Sequence, residues 1–198
     1  MMKLIFASNN LHKIEEIRSY FGEGFEFITM KEAGIDIDIP EPHNTLEENA
    51  REKSATIYQL TQQNCFSEDT GLEVEALNGE PGVKSARYSG EEKNYSRNNE
   101  FLLKKLKGIT NRKARFRAVV SLILDGKEYQ FEGICNGTIA KQLTGKGGFG
   151  YDPIFVPEGS LISFGEMNLE QKNQYNHRRI AIEKMAEFLK NRQPSTNY

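Results

Sequence analysis

Leu4-Ile5-Phe6-Ala7-Ser8-Asn9-Asn10-Leu11-His12-Lys13-Ile14 is the stretch on which the reading of this chain turns. Its first four residues form an unbroken apolar run, which predicts a short buried strand. Leu11, Ile14, Ile17 and Phe21 then recur at helical spacing, so the chain opens as strand, polar loop, helix.

Working outward, a second strand is expected at Phe25 to Thr29, followed by the Pro- and acid-rich stretch Asp36 to Pro42. Thr45 to Gln62 reads as a long helix with Ala50, Ile57 and Leu60 on its apolar side. Thr45, Asn49 and Lys53 recur every four residues and fall on one polar face. Asn64 to Ser67 suggests a strand that delivers Glu68-Asp69-Thr70-Gly71 at its end, where α/β proteins commonly hold ligands. Asn78-Gly79-Glu80-Pro81-Gly82 reads as turn, and Asn94 to Lys107 as an amphipathic helix. Ala114 to Leu124 and Glu128 to Cys135 are β-rich runs joined at Asp125-Gly126, a hairpin signal. Ile182, Met185, Ala186 and Leu189 mark a last helix running to about Lys190, with Asn176 suited to cap it.

Composition narrows the function classes. With 198 residues, 37% of them hydrophobic, the chain can bury one substantial core, so residues 1–192 are expected to form a single domain and residues 193–198 a flexible tail. The net charge of −2 offers no broad cationic field for a nucleic-acid backbone. Cys65 and Cys135 lie far apart with no CxxC, which predicts reduced, core-packed thiols rather than a zinc site or disulfide framework. No apolar run reaches the roughly 20 residues of a membrane span, and the first is too short for a secretory signal; a soluble cytoplasmic protein is expected.

Several segments could carry chemistry, each with a plainer alternative. Ser8 to Lys13 sits at a strand-to-helix junction, where free N–H groups favour an anion; it could equally be an ordinary helix cap. Glu41, Glu68 and Asp69 suit a hard divalent cation or are surface acids. Gly145 to Pro153 formally contains GxGxxG, but Pro153 is too close for the helix that this fingerprint needs. With one Lys and two aromatics it is either a loop pressed against a planar ligand or a tight connection packed by Phe149. Lys172, His177, Arg178 and Arg179 gather donors near the last helix, as an anion or carbonyl site or as a solvated basic face. No P-loop, HExxH or GxSxG occurs.

Taken in order, these segments resemble the inosine/xanthosine triphosphate pyrophosphatases from Phe6 to about Ala186. The resemblance rests on Ala7-Ser8-Asn9-Asn10-x-x-Lys13, Thr45-Leu46-Glu47-Glu48-Asn49-Ala50-x-x-Lys53, Glu68-Asp69-Thr70-Gly71-Leu72 and Pro81-Gly82-Val83-x-Ser85-Ala86-Arg87-Tyr88. Gly147 to Phe155 and the Lys172…His177-Arg178 pair complete it. It implies an elongated α/β fold with a long mixed β-sheet flanked by helices, two lobes, a cleft between them and a homodimer. It also implies hydrolysis of non-standard purine nucleoside triphosphates, with Mg²⁺, to monophosphate and pyrophosphate.

On this chain the resemblance makes Asp69 the catalytic carboxylate, with Glu41 sharing the metal and Glu68 a helper. Ser8, Asn10, Lys13 and Lys53 would contact the triphosphate, and Thr70 a substrate hydroxyl. Phe149 would stack on the base, with Gly150, Tyr151, Asp152, Lys172, His177 and Arg178 around base and sugar. The chain departs from the pattern at His43-Asn44, at Ser163 and Gly165 within Ser163-Phe164-Gly165-Glu166-Met167, and at Asn176. A nucleotide-binding regulator without hydrolysis would be expected to lack Asp69 or Lys13; both are present.

Overall fold

A computed structural model describes residues 2–20 and 25–192. Phe21, expected in the first helix, and the tail 193–198 lie outside the described residues. The chain runs β1 (Met2–Phe6), α1 (Leu11–Tyr20), β2 (Phe25–Thr29), α2 (Leu46–Thr61), β3 (Cys65–Val74), β4 (Pro81–Gly82), α3 (Tyr95–Lys105), β5 (Lys113–Leu124), β6 (Lys127–Ile139), β7 (Phe155–Pro157), α4 (Leu169–Asn173) and α5 (His177–Lys190). The fold is α/β, with one mixed sheet in the order β2-β1-β3-β5-β6-β7 and β4 paired to β3. β1 is parallel to β2 and β3, whereas β4 and β7 pair antiparallel with β3 and β6.

The chain divides into two compact units, Met1–Asp69 with Ala118–Gly133 and Arg178–Tyr198, and Thr70–Arg117 with Ile134–His177. In the first, strand alternation sorts the apolar run of β1 between two clusters. Leu4 and Phe6 join Ile14 and Ile17 of α1 and Ile182, Met185 and Leu189 of α5; Ile5 and Ala7 join Ile57 of α2, Cys65 and Ile123. The second unit has its own core around Leu72, Leu102, Phe116, Tyr151, Phe155 and Phe164. Both cysteines are buried and reduced, as expected. Among the described residues no helix is long and apolar enough to cross a membrane.

The expected hairpin forms at Asp125-Gly126, both with positive φ. The end of β3, the turn at Pro81-Gly82 and the place of Leu60 need correction. β3 does not end at Ser67: it continues to Val74, so Glu68, Asp69 and Thr70 stand in mid-strand. At Gly71 a hydrogen takes the place of a Cβ that would lie 2.5 Å from the Gly82 carbonyl oxygen, which lets β4 close on the strand. Pro81-Gly82, read as turn, is therefore a strand pair. The polar row Thr45-Asn49-Lys53 turns inward at its last two residues, and the expected apolar side is shorter than read. Thr45 is the N-cap of α2, its Oγ1 accepting from the Glu48 N–H, while Asn49 and Lys53 are buried; Leu60, assigned to the apolar side, is 60% exposed.

Candidate functional site

In the first unit, buried charges gather around the middle of β3. The Lys53 ammonium, from α2, donates to Glu41 Oε1 at 2.5 Å, Asp69 Oδ1 at 3.1 Å and the Glu68 carbonyl at 3.0 Å. Asn49, one turn before Lys53, fixes the adjacent loop: its Oδ1 accepts from the His43 N–H and its Nδ2 donates to the His43 carbonyl. That anchors the His43-Asn44 departure two residues from Glu41. Glu68 Oε2 lies 2.6 Å from Lys13 Nζ and Oε1 lies 3.3 Å from Arg178 Nε, while Arg178 also binds Glu16.

Ser8 and Asn10 stand at the strand-to-helix junction expected for them. Ser8 Oγ accepts from the Asn10 N–H and Asn10 Oδ1 from the Lys13 N–H, which orders the start of α1 and points Lys13 at Glu68.

Burial and charge pull these groups in opposite directions. Burial alone would push the Glu68 carboxyl up, but the Arg178 and Lys13 charges beside it prevail and hold it at about 2. Asp69 is raised, because burial outweighs the neighbouring lysines and Glu41 and Glu68 add like charge. Lys53 is raised too: burial opposes its charge, yet Asp69 and Glu41 together favour it more. A retained ammonium beside a carboxyl that binds a proton more readily than usual suits proton abstraction next to an anion.

The second unit holds the remaining expected residues except Arg178. Asp152 Oδ2 accepts from the Phe149 N–H at 2.9 Å and from Lys172 Nζ at 2.8 Å, and that ammonium lies 5.0 Å from the Phe149 ring centroid. Gly148 adopts φ +76°, and a Cβ there would sit 2.1 Å from Asp152 Oδ2, so the loop requires glycine at that point. Asn99 Nδ2 donates to the Gly150 carbonyl at 2.8 Å. Tyr151 is buried, its hydroxyl donating to the Ser85 carbonyl, which makes it a strut of the loop. Thr70 Oγ1 contacts the Arg117 carbonyl and His177 Nε2, and the His177 ring stacks on Phe116. Asp69 and Thr70 are consecutive yet belong to different units, as do His177 and Arg178.

A model of the Ham1 family matches residues 4–188. The chain belongs to the Ham1 family. A dITP/XTP pyrophosphatase from Flavobacterium johnsoniae is 47% identical over 188 residues, covering 95% of this chain and 98% of that protein. A protein of the same name from Porphyromonas gingivalis is 48% identical over 190 residues, covering 96% and 98%. Two solved structures share the fold: the Ham1 protein of Staphylococcus aureus, with TM-score 0.88 at 40% identity, and a HAM1 protein from Coxiella burnetii, with TM-score 0.89 at 31%. Each covers 96% of this chain and 100% of its own.

Within this Ham1 chain, four residues of these groups gave no signal in sequence. Glu16 is one acid of a Glu15-Glu16 pair, and only its position on α1 turns it to Arg178. Asn98 and Asn99 lie in the helix expected at Asn94 to Lys107, and only the structure shows them buried, Asn98 Nδ2 donating to the Ser85 and Ala86 carbonyls and Asn99 to that of Gly150. Phe116 reads as any core residue of β5.

Proposed function

We propose that this chain is a Mg²⁺-dependent nucleoside triphosphate pyrophosphohydrolase that converts ITP, dITP and XTP to the monophosphate and pyrophosphate, clearing non-standard purines from the nucleotide pool. The observation that carries the reading is the sharing of one cationic nitrogen, Lys53 Nζ, by the Glu41 and Asp69 carboxylates beside Lys13. The names of the Ham1 relatives support the same chemistry.

Two carboxylates close enough to share a cation fit Mg²⁺, which takes few protein oxygens and keeps waters and phosphates for the rest of its shell. Glu41 and Asp69 would hold it. When bound, the ion supplies positive charge to the phosphate oxygens. Asp69 accepts a proton from the attacking water, whose oxygen bonds to the α-phosphorus. The bond from that phosphorus to the β-bridging oxygen breaks, and its electron pair leaves with pyrophosphate. Lys13 and Lys53 offset the charge of the leaving group. Glu68, held ionised by Arg178 and Lys13, keeps the Lys13 ammonium in place.

In the second unit, Phe149 offers a ring to stack on the base, and Lys172 and its neighbours offer donors to a 6-keto oxygen. Adenine would present an amino group to those donors and leave them unpaired, a basis for discrimination of order 10⁴-fold in favourable sites. A homodimer in the cytoplasm accompanies this reading, and light scattering tests the assembly.

Pyrophosphate release from ITP, XTP, ATP and GTP, compared with Mg²⁺ and with a chelator, tests the whole. Metal-dependent release favouring the first two supports it. Equal cleavage of all four removes the account of the base, and absence of release removes the hydrolysis.

A further inference from the structure

The Thr70 hydroxyl has one proton and two partners. Its oxygen lies 2.7 Å from the Arg117 carbonyl oxygen and 2.9 Å from His177 Nε2. A carbonyl only accepts, so the hydroxyl proton is committed to Arg117. Toward His177, Thr70 then has lone pairs alone, and the contact is a hydrogen bond only if Nε2 carries the proton. The plane of that ring is fixed independently by parallel stacking on Phe116, with centroids 4.8 Å apart and 7° between planes. His177 is 5% exposed, so no bulk water competes for the choice.

We propose that Thr70 is a positioning residue that locks the neutral His177 imidazole in its Nε2–H tautomer, leaving the lone pair on Nδ1. Whatever part of a ligand meets Nδ1 must then be an N–H or O–H donor. Among purines, the lactam N–H of hypoxanthine or xanthine is such a donor, and the corresponding ring nitrogen of adenine is not. This last step rests on the proposed activity; the tautomer does not. It also gives Thr70 a task other than the substrate hydroxyl contact expected from sequence, and one lone pair of its oxygen remains for such a contact.

Long-range ¹H–¹⁵N correlation of the histidine rings at a pH of about 8, where imidazoles are neutral, reads the tautomer directly in the intact protein. The chain has three histidines, and a His177→Gln variant assigns the signals. The expected result for His177 is a pyrrole-type Nε2 and a pyridine-type Nδ1; the reverse pattern overturns the proposal. Thr70→Val is expected to mix the two tautomers and to raise the KM for ITP about tenfold, the worth of one buried hydrogen bond, with kcat changed far less. Thr70→Ser is expected to restore both. A Thr70→Val protein that keeps the pure Nε2–H pattern also overturns it, whereas inactivity of the wild-type protein toward ITP refutes the proposed activity and leaves the tautomer lock to be decided by the spectra.

Discussion

Replacing Asp69 with Asn should separate catalysis from folding, and the size of each effect follows from the charges around β3. Around β3, the carboxylates of Glu16, Glu41, Glu68 and Asp69 pair with Lys13, Lys53 and Arg178. Asp69 is buried, and Glu41 and Glu68 add like charge beside it, consistent with its raised carboxyl. Asn removes one of these like charges at nearly constant shape, and its Oδ1 still accepts from Lys53. The lost charge-assisted bond and the recovered desolvation cost offset each other, so stability should change by no more than about 1 kcal/mol, or about 4 °C in Tm.

Lys53→Met runs the other way. It leaves the buried Asp69 without its ammonium and facing Glu41, and removing one partner of a buried pair costs about 3–5 kcal/mol, a fall in Tm of roughly 6–20 °C. Hydrolysis should drop in both, by about 10²–10⁴-fold in Asp69→Asn for loss of the proton acceptor. Thermal melts with circular dichroism, paired with pyrophosphate release, check this. An Asp69→Asn protein that melts as low as Lys53→Met would refute the charge accounting, and one that keeps wild-type turnover would refute the role of Asp69.

Ile57 is fully buried in α2 whereas Leu60 is 60% exposed, so Ile57→Ala should cost about 2–5 kcal/mol and Leu60→Ala less than about 0.5 kcal/mol by chemical denaturation. Burial pushes the Cys65 and Cys135 thiols up to about 12, which leaves about one part in ten thousand as thiolate at pH 8. Both should therefore resist a thiol reagent in the folded protein and react at once in denaturant. Glu32 is lowered to about 2, first by the Thr29 N–H and then by Arg18. Because its folded value lies below the unfolded value, its contribution to stability is present above pH of about 4.5 and is lost as pH falls toward 2. The ¹³C carboxyl titration of Glu32 should show a midpoint near 2, and a midpoint near 4.5 would remove that contribution.

Local periodicity was enough to establish most of the elements. The apolar run of β1, the Asp125-Gly126 hairpin and the 3.6-residue spacing of α5 are short-range patterns, and each appears where the residues place it. So is the motif order that marks the Ham1 family, because chemistry-bearing residue types recur at set intervals along one chain. What the pattern misjudged was decided by partners distant in sequence. β3 runs on through Gly71 because β4 returns to meet it, and Lys53 is buried on its polar face because Glu41 and Asp69 offset the cost of burying an ammonium. Glu16, Asn99 and Phe116 belong to the candidate site only through contacts with Arg178, Gly150 and His177. A sequence records what a side chain can do; burial and the charge opposite decide which of those things it does.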